Sequence, residues 1–331
     1  MEPEKVLAHP PRILTQEQRE FYFDQGYLIL EQIIPQAWID RLNAVTEEFV
    51  ERSRAVARSD AIFDLEPGHT SDNPRLRRLM NPVEQHPRYW EFASESLLGD
   101  IAADLVGPNV KFHHSKLNFK WAAGGSEVKW HQDIQFWPHT NYSPLTMGIY
   151  LHDVGWAQGP LRVLPSSHKG ELFSLYDSGT WTGCLSSSDV ARLDVDGAVD
   201  LVGPAGSVTI HNCRAVHSSL RNESNLGRPL LLNIFTAADA FAYTANPYPS
   251  RYAGTIIRGS AARWAHHDPR PCLIPPDWSA GYTPLFASQQ EEQRDAGQLE
   301  KVKEQPNLMR QAVRSNQMRP TVRSRPGRVM Y

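Results

Sequence analysis

Apolar positions change their period about a third of the way along the chain. Up to residue 108 they recur mostly at helical spacing; beyond it they fall into short, strand-like runs. Thr15 followed by Gln18 has the form of a capping box, and Phe21, Tyr22 and Phe23 lead to a stop at Gly26. Tyr27-Leu28-Ile29-Leu30 suits a short buried strand. Pro35 then opens a helix on which Trp38, Leu42, Val45, Phe49 and Val50 share one face. Residues 59–78, with Glu66-Pro67-Gly68-His69 and Ser71-Asp72-Asn73-Pro74, are dense in turn formers and read as a surface loop. Helical patterning returns over 86–106 and ends at Gly107-Pro108.

From residue 109, segments 109–121, 127–137, 145–153, 161–164, 206–211 and 229–236 alternate or carry β-branched residues, with turn signals between them. That rhythm predicts an antiparallel sandwich or barrel preceded by helices. Residues 241–286, rich in proline, aromatics and bases, read as a loop-rich wrap around it. Residues 1–14, with Pro3, Pro10 and Pro11, read as a loose arm, and 287–331 as a polar, terminally basic tail. The whole is expected to be one domain over 15–286, helical over 15–108 with a β core over 109–240.

Composition narrows the partners. A net charge of −3 argues against nucleic acid or an anionic membrane as the main partner. Residues 306–331 contain six arginines and no acid, leaving 28 bases against 37 acids in the rest. No apolar run is long enough to span a bilayer. Three scattered cysteines and an opening segment without a basic-then-apolar pattern point to a cytoplasmic protein.

The chemistry concentrates around Trp130-His131-Gln132-Asp133-Ile134. In a strand, His131 and Asp133 project from one face and can hold one ion together. Alternatively they are a hydrogen-bonded pair within the sheet. His217 is the best third ligand, and two histidines with one carboxylate leave three positions open on Fe(II). A second His-x-Asp, in His266-His267-Asp268, lies among prolines with no histidine after it and is a poor site. Arg228, eleven residues beyond His217, offers a fork for a carboxylate.

The ordered set His131-Gln132-Asp133, Gly159-Pro160-Leu161-Arg162-Val163-Leu164-Pro165-Ser166-Ser167-His168 and His217-Ser218-Ser219 through Asn222 and Ser224 to Arg228 resembles the phytanoyl-CoA dioxygenase family. Asp24-Gln25-Gly26-Tyr27-Leu28-Ile29-Leu30 is similar to its N-terminal signature, and the resemblance covers roughly residues 15–240. It implies a mainly β fold: a double-stranded β-helix (jelly-roll) core with N-terminal helices and a loop-rich C-terminal wrap. It implies Fe(II), 2-oxoglutarate and O2 as cofactor and cosubstrates, with His131, Asp133 and His217 on iron. Arg228 and Ser219 would then hold 2-oxoglutarate, with Gln132 and Tyr150 nearby. Pro165-Ser166-Ser167-His168 departs from the usual Pro-Gly-Ser-His, and His168 is read as structural. Cys213 and His211 flank the site and read as packing or supporting groups. Related halogenases lack the carboxylate, so Asp133 favours hydroxylation.

In the strand 110–121, Lys116, Asn118 and Lys120 share one face, while Leu117, Phe119 and Trp121 share the other. If the polar face points inward, the pocket suits a small anionic or zwitterionic metabolite; otherwise that face is solvated. Trp137 and His139 are placed to line the entrance, where aromatics could also cage a cation. Arg251, Arg258 and Arg263 keep an acyl-CoA substrate open. The expectation is a hydroxylase of a small polar metabolite releasing succinate and CO2. The alternatives are the same chemistry on an acyl-CoA thioester and a non-catalytic jelly-roll that binds metal or ligand.

Overall fold

Two antiparallel sheets carry the core of the computed structural model, which describes residues 2–122, 124–282 and 285–289. The strands are β1 (Tyr27–Leu30), β2 (Phe63–Leu65), β3 (Leu76–Met80), β4 (Val110–Lys120), β5 (Val128–His131), β6 (Leu145–Tyr150) and β7 (Leu161–Val163). There follow β8 (Tyr176–Asp177), β9 (Thr180–Trp181), β10 (Val199–Leu201), β11 (Val208–Asn212), β12 (His217–Ser219), β13 (Arg228–Ala237) and β14 (Ile256–Arg258). The large sheet runs β1-β11-β6-β13-β4-β3-β2, with β14 also on β4; the small one runs β10-β7-β12-β5, and β8 and β9 form a separate hairpin. The strand rhythm predicts an antiparallel sandwich or barrel, and the arrangement is the jelly-roll that the family resemblance implies.

The helices are α1 (Pro3–Leu7), α2 (Gln16–Gln25), α3 (Gln36–Ser53), α4 (Pro82–Gln85), α5 (Pro87–Glu95), α6 (Leu98–Val106), α7 (Ser187–Val190) and α8 (Leu285–Gln289). Both bonds of the capping box open α2, and Gly26, at φ +83°, closes it in a conformation that needs no Cβ. Ile39, Leu42, Val45 and Phe49 of α3 are buried against one face of the large sheet, in a core that includes Leu117, Phe119, Ile149 and Leu231. Each such side chain contributes about 1.5–3 kcal/mol of burial. Strand alternation turns the other face, with Lys116, Asn118, Leu230 and Leu232, toward the small sheet.

Three segments differ from the sequence reading. Residues 63–80 form the β2–β3 hairpin, not a surface loop: β3 pairs with β4, so Arg78 lies opposite Asn118. The turn formers at 66–74 serve only its connection. The N-terminal arm is held, not loose. The Asp104 carboxylate accepts the backbone N–H groups of Arg12, Ile13 and Leu14 at 2.7–2.8 Å, and buried Arg19 donates to the carbonyls of Val6, His9 and Asp104. The contacts to Asp104 span 85 to 92 positions, beyond the reach of local pattern. At the other end, Gln289 accepts from the Lys129 N–H and donates to the Gly183 carbonyl, so α8 packs where the tail was expected to begin. The basic extension at 306–331 lies outside the described residues. Among the described residues, no helix is long and apolar enough to cross a membrane.

Candidate metal centre

Antiparallel pairing of β5 and β12 makes His131 and His217 cross-strand partners, their ring centroids 4.1 Å apart. Each Nδ1 donates to a carbonyl two residues upstream, that of Lys129 at 2.8 Å and that of Ala215 at 2.9 Å. A carbonyl only accepts, so the proton sits on Nδ1 and the Nε2 lone pair is left for a metal. β5 ends at His131; Gln132 is extended, and Asp133 opens a short 3-10 turn. The expected alternation therefore holds for one more residue than the strand does, which brings the Asp133 carboxylate to the side of His131.

Asp133 Oδ1 lies 3.8 Å from His131 Nε2 and 3.9 Å from His217 Nε2. Among the described residues, only this group of His, Cys, Asp or Glu side chains brings three donor atoms together, within 4.8 Å of one another. Oδ2 is engaged elsewhere: the Thr146 hydroxyl donates to it at 2.9 Å and His211 Nε2 at 3.2 Å. One carboxylate oxygen is thus fixed by the large sheet and the other is free. Burial pulls His131 down to about 4 and His217 well below the usual imidazole range, keeping both neutral. Burial pushes Asp133 upward, but the hydrogen bond from His211 and the nearby Lys116 ammonium outweigh it and hold the carboxyl ionised. Thr146 carried no sequence signal beyond being a polar residue in a buried strand. A Thr146→Val protein is expected to bind Fe(II) about 10–100-fold more weakly, as measured by anaerobic titration.

The triad opens into a cavity of about 80 Å³, small beside the roughly 300–1,000 Å³ of drug-sized sites. A larger hollow of about 400 Å³, beside α1, shares no lining residue with it and holds no metal donor set. Arg228 and Lys120, register partners on β13 and β4, both line the small cavity. Arg228 is 3% exposed, and its Nε and Nη1 have no hydrogen-bond partner. Lys120 donates to the carbonyls of Ser219 and Leu220, and burial and Arg228 push its ammonium well below its usual range. Orphaned buried guanidinium N–H groups call for an anion. The residues present therefore fit iron together with a dicarboxylate.

Lys116, Asn118, Lys120, Trp137 and Ser219 line the cavity as expected, and Arg78, Tyr248 and Tyr282 join them unforeseen. Three expectations are corrected. The Gln132 amide faces away, donating to the carbonyls of Glu171 and Arg214 and accepting from the Phe173 N–H, because its side chain alternates opposite to His131. Tyr150, the cross-strand partner of Leu230, donates its hydroxyl to the Leu201 carbonyl; it lies near enough to Arg228 for an electrostatic interaction but does not line the cavity. His139 is buried with Nδ1 on the Trp137 carbonyl, against His113, and does not line the cavity. At the second His-x-Asp, Asp268 pairs with Arg270 at 2.7 Å.

A jelly-roll holding two neutral imidazoles and one carboxylate over a cation-lined cavity defines a non-haem iron oxygenase. Comparison with known proteins agrees. The Phytanoyl-CoA dioxygenase (PhyH) family profile matches residues 22–230, and the chain belongs to that family. It is 29% identical to a probable alpha-ketoglutarate-dependent hypophosphite dioxygenase of Stutzerimonas stutzeri, over 84% of this chain and 97% of that one. It is 26% identical to an ectoine dioxygenase of Bordetella parapertussis, over 71% and 78%. A crystal structure of EctD from S. alaskensis with bound Fe has the same fold, with a TM-score of 0.64 at 22% identity over 79% of this chain and 93% of that one. The protein is a 2-oxoglutarate-dependent non-haem iron dioxygenase.

Proposed function

We propose that the protein hydroxylates a small polar metabolite, with His131, Asp133 and His217 as the iron ligands. The observation that carries this is the convergence of their free donor atoms within 4.8 Å in a cavity that also holds an unpaired, buried Arg228. Iron with 2-oxoglutarate supplies oxidative decarboxylation to succinate and CO2 and the oxidising power for hydroxylation. Arg228, with Lys120 and Ser219 beside it, receives the distal carboxylate of 2-oxoglutarate. Phe136, Trp137 and Leu232 exclude water from the reacting centre. The Lys129 and Ala215 carbonyls fix the imidazole orientations, and Thr146 and His211 fix the carboxylate.

Matched relatives named for hypophosphite, ectoine and L-proline support a small substrate. An acyl-CoA fits less well. Arg251 and Arg258, expected at the mouth, are tied to Glu84 and Asp100, and Arg263 lines the other hollow. Three cysteines scattered along the chain, too few for a disulfide scaffold, support a reducing, cytoplasmic setting. The test is anaerobic loading with Fe(II) and 2-oxoglutarate, then air. Succinate should form and rise with a matching substrate; wild-type protein that forms none would contradict the reading.

A further inference from the structure

The inward row of β4 carries His114, Lys116, Asn118 and Lys120, and all but Lys116 have a hydrogen-bond partner. Lys116 is 9% exposed and lines the cavity beside the triad. Its ammonium lies 4.9 Å from the Trp137 ring and 5.3 Å from the Tyr248 ring, and makes no hydrogen bond or ion pair among the described residues. An ammonium that reaches the cavity without a partner of its own is placed to receive an anionic group there. Arg78, 1% exposed, stands on the same wall, its Nε on Asn118 Oδ1 at 2.8 Å and its Nη1 on the Tyr248 hydroxyl at 2.9 Å.

Charge decides what can enter. Arg78, Lys116, Lys120 and Arg228 line the cavity against one carboxylate, Asp133. Counting Lys120 as neutral still leaves a positive surplus. Fe(II) and the 2-oxoglutarate dianion cancel each other, so loading both preserves it. The rings of Trp137 and Tyr248, which could have caged a substrate cation, already face the protein's own ammonium.

We infer that the substrate is a compact oxyanion, a small carboxylate or phosphorus oxyanion, whose negative group is taken by Lys116 with Arg78 behind it. This rests on the dioxygenase reading above. The X–H bond to be hydroxylated, with X carbon or phosphorus, lies next to that group, since Lys116 and the triad share one small cavity. One oxygen atom of O2 enters the X–H bond to give X–OH; the other enters succinate as 2-oxoglutarate loses CO2.

The test uses full-length protein loaded anaerobically with Fe(II) and 2-oxoglutarate, titrated calorimetrically with hypophosphite, methylphosphonate, propionate, choline and glycerol. Succinate formation in air is then measured with each. At least one anion should bind and stimulate succinate, with the phosphorus and carboxylate arms telling the two sources apart; choline and glycerol should do neither. Lys116→Met should weaken that anion at least tenfold and raise its KM, and Lys116→Arg should recover part of the loss. Preference for choline or glycerol, no anion binding at millimolar concentration, or unchanged anion affinity in a folded Lys116→Met protein would overturn the proposal. If the Met variant does not fold, the charge selectivity of the wild type decides alone. Wild-type protein that consumes no 2-oxoglutarate would sink the dioxygenase reading, while anion binding would still judge this one.

Discussion

Asp133→Ala protein is expected to bind Fe(II) at least about a hundredfold more weakly and to lose coupled succinate formation. The loss should exceed the roughly 10–100-fold typical of an outer hydrogen-bond partner, because a charged ligand is removed and Thr146 and His211 are left without an acceptor. Asp133→Asn is the sharper comparison. It keeps an oxygen for Thr146 but removes the charge that two neutral imidazoles cannot supply. Anaerobic metal titration and a succinate assay would check both, and wild-type turnover in either would remove Asp133 from the ligand set.

The second large effect is on the cosubstrate. Arg228→Ala should weaken 2-oxoglutarate by about 2–5 kcal/mol, the usual cost of removing one partner of a buried, hydrogen-bonded charge pair. That is a factor between roughly 30 and 5,000 in KM or calorimetric affinity. Arg228→Lys should recover little, because an ammonium offers no planar fork and the neighbouring Lys120 already has carbonyl partners. Unchanged 2-oxoglutarate affinity in Arg228→Ala would place the distal carboxylate elsewhere.

The parts of this site legible in the sequence are those whose geometry is local. A spacing of two puts His131 and Asp133 side by side even though the strand ends between them. Alternation along β4 puts Lys116, Asn118 and Lys120 on one wall, though it could not say which face was inside. What the sequence hid depends on pairing across long separations. Arg78 reaches the cavity only because a turn-rich stretch folds into a hairpin on β4. Thr146 and His211 become partners of Asp133 only when β6 and β11 sit side by side. Gln132 and Tyr150, placed by family position, turn their polar ends to backbone carbonyls instead. The fold was legible for a similar reason: long alternating runs such as β4 and β13 announce themselves, while three-residue strands such as β10 and β12 owe their form to neighbours.

The division of the Asp133 carboxylate between the two sheets also bears on how the chain folds. Its metal-facing oxygen looks toward donors on the small sheet, while the other is held by side chains of the large one, and His211 lies 78 positions away along the chain. Closing a loop of that length carries an entropic cost that only the assembled sheets offset. A nascent or half-folded chain presents at most the His131–Asp133 pair, a weak and exchangeable binder. Firm capture of a redox-active ion at the proposed ligands is therefore expected only once the surrounding walls exist, which would make the metal a late seal on the finished molecule.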